Sequence, residues 1–148
     1  YINSVRESSD SVLYAIAGDM LRGSVIDSEF KGISTIEIMN LIGCVEGRNA
    51  VIIDDIVDTA GSLVEGAKAL ERHGAKAVYA CCTHPVLSAP ACQRLKDSII
   101  KELVVTNTIP LPEEKCFDKL KVLSVAPLLG EAIIRIYDDL SVSRLFDT

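Results

Sequence analysis

Val51-Ile52-Ile53-Asp54-Asp55-Ile56-Val57-Asp58-Thr59-Ala60-Gly61-Ser62-Leu63 is the stretch whose reading decides the fold. From Ala50 to Ile53 the chain is unbroken apolar, and carboxylates end the run at Asp54 and Asp55. That is the pattern of a central parallel strand, buried on both faces. From Gly61 to His73 the period changes, with Leu63, Ala67 and Leu70 recurring on one helical face and Gly74 standing where a helix stops. A strand that feeds a helix through a short polar turn is the opening of a βαβ unit.

The same alternation continues outward. Ala77 to Thr83 predicts a second strand. Ser88 is placed to cap a helix running to Asp97, with Pro90 in its first turn. Leu103 to Thr106 and Lys121 to Val125 predict two more strands. Pro127 opens a helix to Leu140, with Leu129, Ile133 and Ile136 as its apolar stripe. Toward the N-terminus, Ser11 to Leu21 reads as a helix capped by Asp10, and Ser24 to Ile26 as a short strand. Asp27 to Ser34 reads as a loop and Ile36 to Ile42 as an additional strand. Strand, helix, strand at this spacing predicts a doubly wound α/β protein, a parallel sheet with helices on both faces.

At 148 residues and 16.0 kDa the chain has room for one domain with a real core. With 49% hydrophobic and 24% charged residues it is ordinary globular material rather than a disordered chain. Fifteen Lys and Arg against 21 Asp and Glu give a net charge of −6, which argues against nucleic acid or an anionic membrane as a partner. No apolar run reaches the roughly 18 residues of a membrane helix. The chain opens on Tyr1 rather than Met, so a fragment or processed form is expected. Five cysteines form no paired spacing, and adjacent Cys81 and Cys82 lie in an apolar run, as in a reduced cytoplasmic protein. Cys81-Cys82-Thr83-His84 lacks the second ligand cluster a zinc site needs.

In an open parallel sheet, ligands sit beyond the carboxyl ends of the strands. There, the backbone N–H groups of Asp58-Thr59-Ala60-Gly61-Ser62 and the hydroxyls of Thr59 and Ser62 can surround a phosphate. Gly61 lets a ligand approach the backbone closely. Asp54 and Asp55 can accept hydrogen bonds from sugar hydroxyls or order a hydrated Mg²⁺. Solvated turn residues and a Ser62 helix cap would account for each residue singly, but the combination exceeds what capping needs. Phosphate at one end and a diol at the other describe a phosphorylated ribose. The glycine pattern of a dinucleotide site and the Gly-Lys-Ser/Thr of a P-loop are both missing.

This loop resembles the phosphoribosyl-diphosphate-binding loop of type I phosphoribosyltransferase folds. Further segments are similar to one family, ribose-phosphate pyrophosphokinase: Tyr79–Ser88, Glu102–Pro110, Leu123–Val125, Leu128–Arg135 and the ending Ser141–Phe146. The resemblance implies a parallel α/β sheet of phosphoribosyltransferase type. It places the 5-phosphate of ribose 5-phosphate on Asp58, Thr59, Ala60, Gly61 and Ser62, and its hydroxyls on Asp54 and Asp55. The reaction it implies transfers the diphosphate of the substrate ATP to the anomeric hydroxyl, with Mg²⁺, for nucleotide biosynthesis. It also implies a regulatory phosphate site at Ser141 and Ser143, otherwise a polar tail, a cytoplasmic setting and a homo-oligomer, a hexamer in the family. It offers Asp10 as a metal ligand and His84 near a subunit contact, but a helix cap at Asp10 and a structural histidine at His84 are the preferred readings.

The family has two similar domains, and this sequence resembles the second. Most ATP contacts, a metal-binding histidine and the diphosphate loop belong to the first. Where the family continues from Asp27 with Lys-Arg-Arg, this chain has Ser28, Glu29 and Phe30. A carboxylate there opposes stabilisation of a transferring diphosphate, with Lys31 the nearest substitute. No catalytic residue is therefore assigned within this sequence. Two alternatives stand beside the enzyme: an impaired associated subunit of that synthase, and a phosphoribosyltransferase that uses the diphosphate as substrate.

Overall fold

The computed structural model describes residues 12–16 and 45–146. Among the described residues, five strands form one parallel sheet in chain order: β1 (Val12–Ile16), β2 (Asn49–Val57), β3 (Ala77–Pro85), β4 (Ile100–Thr106) and β5 (Leu120–Leu123). Helices α1 (Gly61–Arg72) and α2 (Ala91–Asp97) link β2 to β3 and β3 to β4, and α3 (Ala126–Tyr137) follows β5. This is the parallel α/β architecture expected.

Because β2, β3 and β4 step in one direction, right-handed crossovers lay α1 and α2 on the same face. Ala50 and Ile52 of β2, Val78, Ala80 and Cys82 of β3, and Leu103 and Val105 of β4 meet Leu63, Ala67 and Leu70 of α1 and Leu95 of α2 in one core. Val51 and Val104 are also buried, at 0% and 4% exposure, although neither belongs to that cluster. By strand alternation they point to the opposite face, so the centre of the sheet is out of water on both sides.

α1 stops where its sequence says. Gly74, at φ 86°, closes a Schellman turn in which its N–H bonds Glu71 O and the Ala75 N–H bonds Leu70 O (2.9 and 3.0 Å). At the start of α2 the N-cap is Pro90 rather than Ser88, so Pro90 stands just before the first turn; the Ser88 carbonyl accepts from the Ala91 N–H, and no side chain of the cap bonds the helix. The C-terminal helix is shorter than expected, ending at Tyr137 rather than Leu140. Asp139 takes a left-handed conformation (φ 53°), and the Leu140 N–H turns back to Arg135 O at 2.7 Å. An aspartate tolerates that conformation better than most residues and can end a helix. The stripe Leu129, Ile133 and Ile136 is 56%, 67% and 66% exposed, so here it faces solvent instead of packing on the sheet.

The helix expected over Ser11–Leu21 is replaced in part by β1. Val12-Leu13-Tyr14-Ala15-Ile16 pairs with Asn49–Ile53 along its whole length. β-branched and aromatic residues favour that strand, and its neighbour supplies hydrogen bonds that local periodicity cannot reveal. The readings on Asp10, Ser24–Ile26, Asp27–Ser34 with Ser28-Glu29-Phe30, Ile36–Ile42 and Cys44 lie outside the described residues. Cys81, Cys82, Cys92 and Cys116 are free thiols. Burial pushes the Cys82 thiol up to about 12, which keeps it protonated and inert.

Candidate functional site

The sheet carries its acidic residues further than the sequence suggests. β2 continues to Val57, past the Ile53 expected as its end, so Asp54 and Asp55 are strand residues rather than loop residues. Asp54 lies beside Cys82, Ile56 beside His84 and Val57 beside Pro85. The Asp54 Oδ1 accepts the Asp55 N–H at 2.9 Å, and the Asp55 Oδ1 accepts the Ile56 N–H at 2.8 Å.

The two neighbouring carboxyls titrate in opposite directions. Burial, and next a side-chain hydrogen bond with Asp55, raise Asp54 above the ordinary carboxylate value. That same hydrogen bond, and next the Ile56 amide, lower Asp55, to which His84 adds a smaller favourable charge. The pair therefore shares its first proton unequally, with Asp54 the holder. Since ionised Asp54 is the disfavoured form in the fold, its penalty is complete above the raised value and disappears once pH falls below 3.8. Asp54→Asn keeps the acceptor for the Asp55 amide and removes the charge. This variant should unfold at higher temperature than the parent at neutral pH, by less than about 1 kcal/mol because water screens the half-exposed group. Melting curves should converge on acidification through that window. A neutral-pH melting point below the parent's would refute the assignment.

Behind these acids lies a hydroxyl network. Thr106 and Thr108 each donate their hydroxyl hydrogen to Thr83 O (both 2.7 Å). His84 Nδ1 lies 2.9 Å from Thr108 Oγ1, whose hydrogen is already used, so Nδ1 carries the proton. His84 is thus a hydrogen-bonded histidine at the carboxyl edge of the sheet.

The turn from β2 into α1 has three features that ordinary capping does not require. Ala60, 4% exposed, is the N-cap of α1 and stands in the left-handed region at φ 58° and ψ 13°. The N-cap is Ala60, with no side-chain cap bond, so Ser62 lies inside the first turn and is not the cap. The N–H groups of Gly61, Ser62 and Leu63 open this helix, where intrahelical acceptors do not exist. Among the described residues, the buried Asp58 Oδ1 has no hydrogen-bond partner. An orphaned buried carboxylate oxygen costs of order 1–3 kcal/mol unless a further donor completes it.

Gly61 has an ordinary φ, and a Cβ built there would lie 3.5 Å from Arg94 Nη1 and 3.9 Å from Thr59 Oγ1. Its missing side chain therefore keeps space open between a hydroxyl and a guanidinium. The residue held in a glycine-like conformation is Ala60, whose identity carries no such signal. Arg94 of α2 was equally illegible in sequence, yet its Nη1 donates to Thr59 O at 3.0 Å.

Ser141 and Ser143 come together at the turn Val142–Leu145, their hydroxyls 2.6 Å apart, and Arg135 Nη1 donates to Ser141 O at 3.3 Å. Among the described residues, no hydrogen bond or ion pair joins them to Asp54–Ser62, and no three His, Cys, Asp or Glu side chains cluster as metal ligands. The outer carboxylate oxygens of Asp54 and Asp55 are hard donors of the type Mg²⁺ takes when it keeps most of its water.

Residues 32–147 match the family model described as the phosphoribosyl synthetase-associated domain. A ribose-phosphate pyrophosphokinase of Halalkalibacterium halodurans is 58% identical over 124 residues, covering 84% of this chain and 39% of that protein. The Bacillus subtilis protein of the same name is 56% identical over 123 residues, with coverages of 83% and 39%. The chain thus spans about two fifths of the length of these curated relatives. The crystal structure of phosphoribosylpyrophosphate synthetase from Mycobacterium smegmatis matches with a TM-score of 0.73 and 29% identity, over 94% of this chain and 49% of that one.

Proposed function

The chain belongs to the phosphoribosyl synthetase-associated domain family, and from that footing we propose that Asp54–Ser62 is the ribose 5-phosphate site of a ribose-phosphate diphosphokinase. The observation that carries this reading is the buried, unpartnered Asp58 Oδ1 at the mouth of an uncapped helix. The helix amides and the Thr59 and Ser62 hydroxyls take the phosphate, and Asp54 and Asp55 accept from the ribose hydroxyls. A sugar hydroxyl donated to Asp58 would complete its orphaned oxygen.

This arrangement binds and orients one substrate, leaving the anomeric hydroxyl to meet the diphosphate of ATP in a transfer that supplies nucleotide biosynthesis. Held on the Asp54 and Asp55 oxygens, Mg²⁺ would offset charge on the transferring diphosphate. The rest of the ATP site is assigned to the part of the relatives' length that this chain does not span. The relatives' shared name, pyrophosphokinase, supports the enzyme over an impaired associated subunit.

We assign Ser141 and Ser143 to a second, regulatory phosphate site and the protein to a cytoplasmic homo-oligomer, a hexamer by family resemblance. The free thiols and the apolar face of α3 support that setting. Among the described residues, no helix is long and apolar enough to cross a membrane.

Gly61→Ala separates binding from folding. The added methyl meets only ordinary contacts, and it reduces the freedom of the unfolded chain, so stability should hold or rise by up to about 1 kcal/mol. The methyl nevertheless fills the space between Thr59 Oγ1 and Arg94 Nη1. Titrating the parent with ribose 5-phosphate should move the Thr59–Ser62 amide resonances, and in Gly61→Ala the affinity should drop at least about tenfold. Parent spectra that stay unchanged at millimolar ligand would remove the reading.

A further inference from the structure

We propose that Arg94 is a positioning residue of the phosphate loop, a guanidinium brought from a different helix to set the loop's shape and give it positive charge. The proposal rests on the ribose 5-phosphate reading of Asp54–Ser62 and adds a residue to it.

Arg94 lies on α2, one crossover away from the loop in the chain. Its Nη1 donates to the carbonyl of Thr59 at 3.0 Å. That same nitrogen stands 3.5 Å from where a Gly61 Cβ would be, so the guanidinium borders the open space at the start of α1. The tie falls on the residue just before Ala60, where the chain turns left-handed to begin the helix. A carbonyl held there by a rigid donor fixes which way the next peptide unit faces, and with it the amides that would receive a phosphate. Among the described residues Arg94 has no carboxylate partner, whereas Arg135 is paired with Glu131. Within the described residues, then, no ion pair offsets its charge.

The segment Asp54–Ser62 holds three carboxylates and no Lys or Arg. A dianionic phosphate arriving there meets like charge at Asp54, Asp55 and Asp58. Among the described residues, Arg94 brings a cation against this loop. Its planar fork keeps one N–H on Thr59 while the delocalised charge faces the cradle, a combination that a lysine ammonium does not reproduce.

The test uses the full 148-residue chain with Arg94→Ala and Arg94→Lys, titrated with ribose 5-phosphate and with ribose. Arg94→Ala should weaken ribose 5-phosphate by about 10- to 100-fold, the range for losing a charge-assisted contact. It should also flatten the dependence of affinity on salt and leave the weaker binding of ribose unchanged. Arg94→Lys should restore the salt dependence and only part of the affinity. Affinity and salt dependence equal to the parent's in Arg94→Ala would overturn the proposal. A second readout needs no ligand: amide exchange at Ala60–Val64 should quicken in Arg94→Ala at unchanged global stability, and unchanged exchange would overturn the positioning claim. If the parent binds no ribose 5-phosphate but its loop loosens in Arg94→Ala, the functional reading falls while the positioning role stands.

Discussion

Ala60→Val should cost the fold about 3 kcal/mol and abolish ribose 5-phosphate binding even under conditions where the variant remains folded. Ala60 already sits at φ 58°, a region that side chains with a Cβ enter at a cost of roughly 1–2 kcal/mol. A β-branched residue there is a genuine outlier. The position is 4% exposed, so the extra methyls have no solvent to turn toward and must overpack the core, at about 1–3 kcal/mol. The cheapest relief is for the turn to leave the left-handed region, which redirects the amides of Gly61 and Ser62. Chemical denaturation with ligand titration checks both parts. Ala60→Gly is the matching control and should stay within about 1 kcal/mol of the parent, on the stable side, with binding intact. A valine variant that binds like the parent would show that the left-handed turn is incidental to the site.

Leu63→Ala should lower stability by a similar amount for a different reason. Leu63 is 1% exposed on the inner face of α1, packed into the cluster that contains Ile52, Ala80 and Leu95. Truncating a buried leucine removes its transfer free energy and leaves a cavity, with a usual cost of 2–5 kcal/mol; about 3 is expected here. Domains of this size hold roughly 5–15 kcal/mol in total, so the urea midpoint should fall by a large fraction at unchanged slope. The loop backbone itself is untouched, so the folded fraction should still bind. The two variants thus dissociate stability from binding: one loses both, the other chiefly the first.

The parallel sheet was legible because burial on both faces forces an unbroken apolar run, and Ala50–Ile53 and Ala77–Thr83 have one. The first helix was legible because Leu63, Ala67 and Leu70 repeat at helical spacing and Gly74 ends them. β1 was not, since five apolar residues fit the face of a helix or a buried strand equally well, and only pairing with Asn49–Ile53 decides. The residue types of the loop point to a phosphate cradle, a reading that the ribose 5-phosphate titration decides. What the sequence concealed was the work done by residues without a signature. Alanine does not advertise a left-handed turn, and an arginine on a later helix does not advertise a carbonyl that folding brings to it. The length of α3 depended similarly on a single aspartate adopting a conformation that periodicity does not register.

The exposed face of α3 also bears on how readily proteases reach this chain. Ile133, Ile134, Ile136 and Tyr137 standing in solvent form the kind of surface that chaperones and quality-control proteases seize. Covering this face would take it out of their reach, so slower cleavage within α3 in limited proteolysis is the expected sign that it has found a surface to pack on.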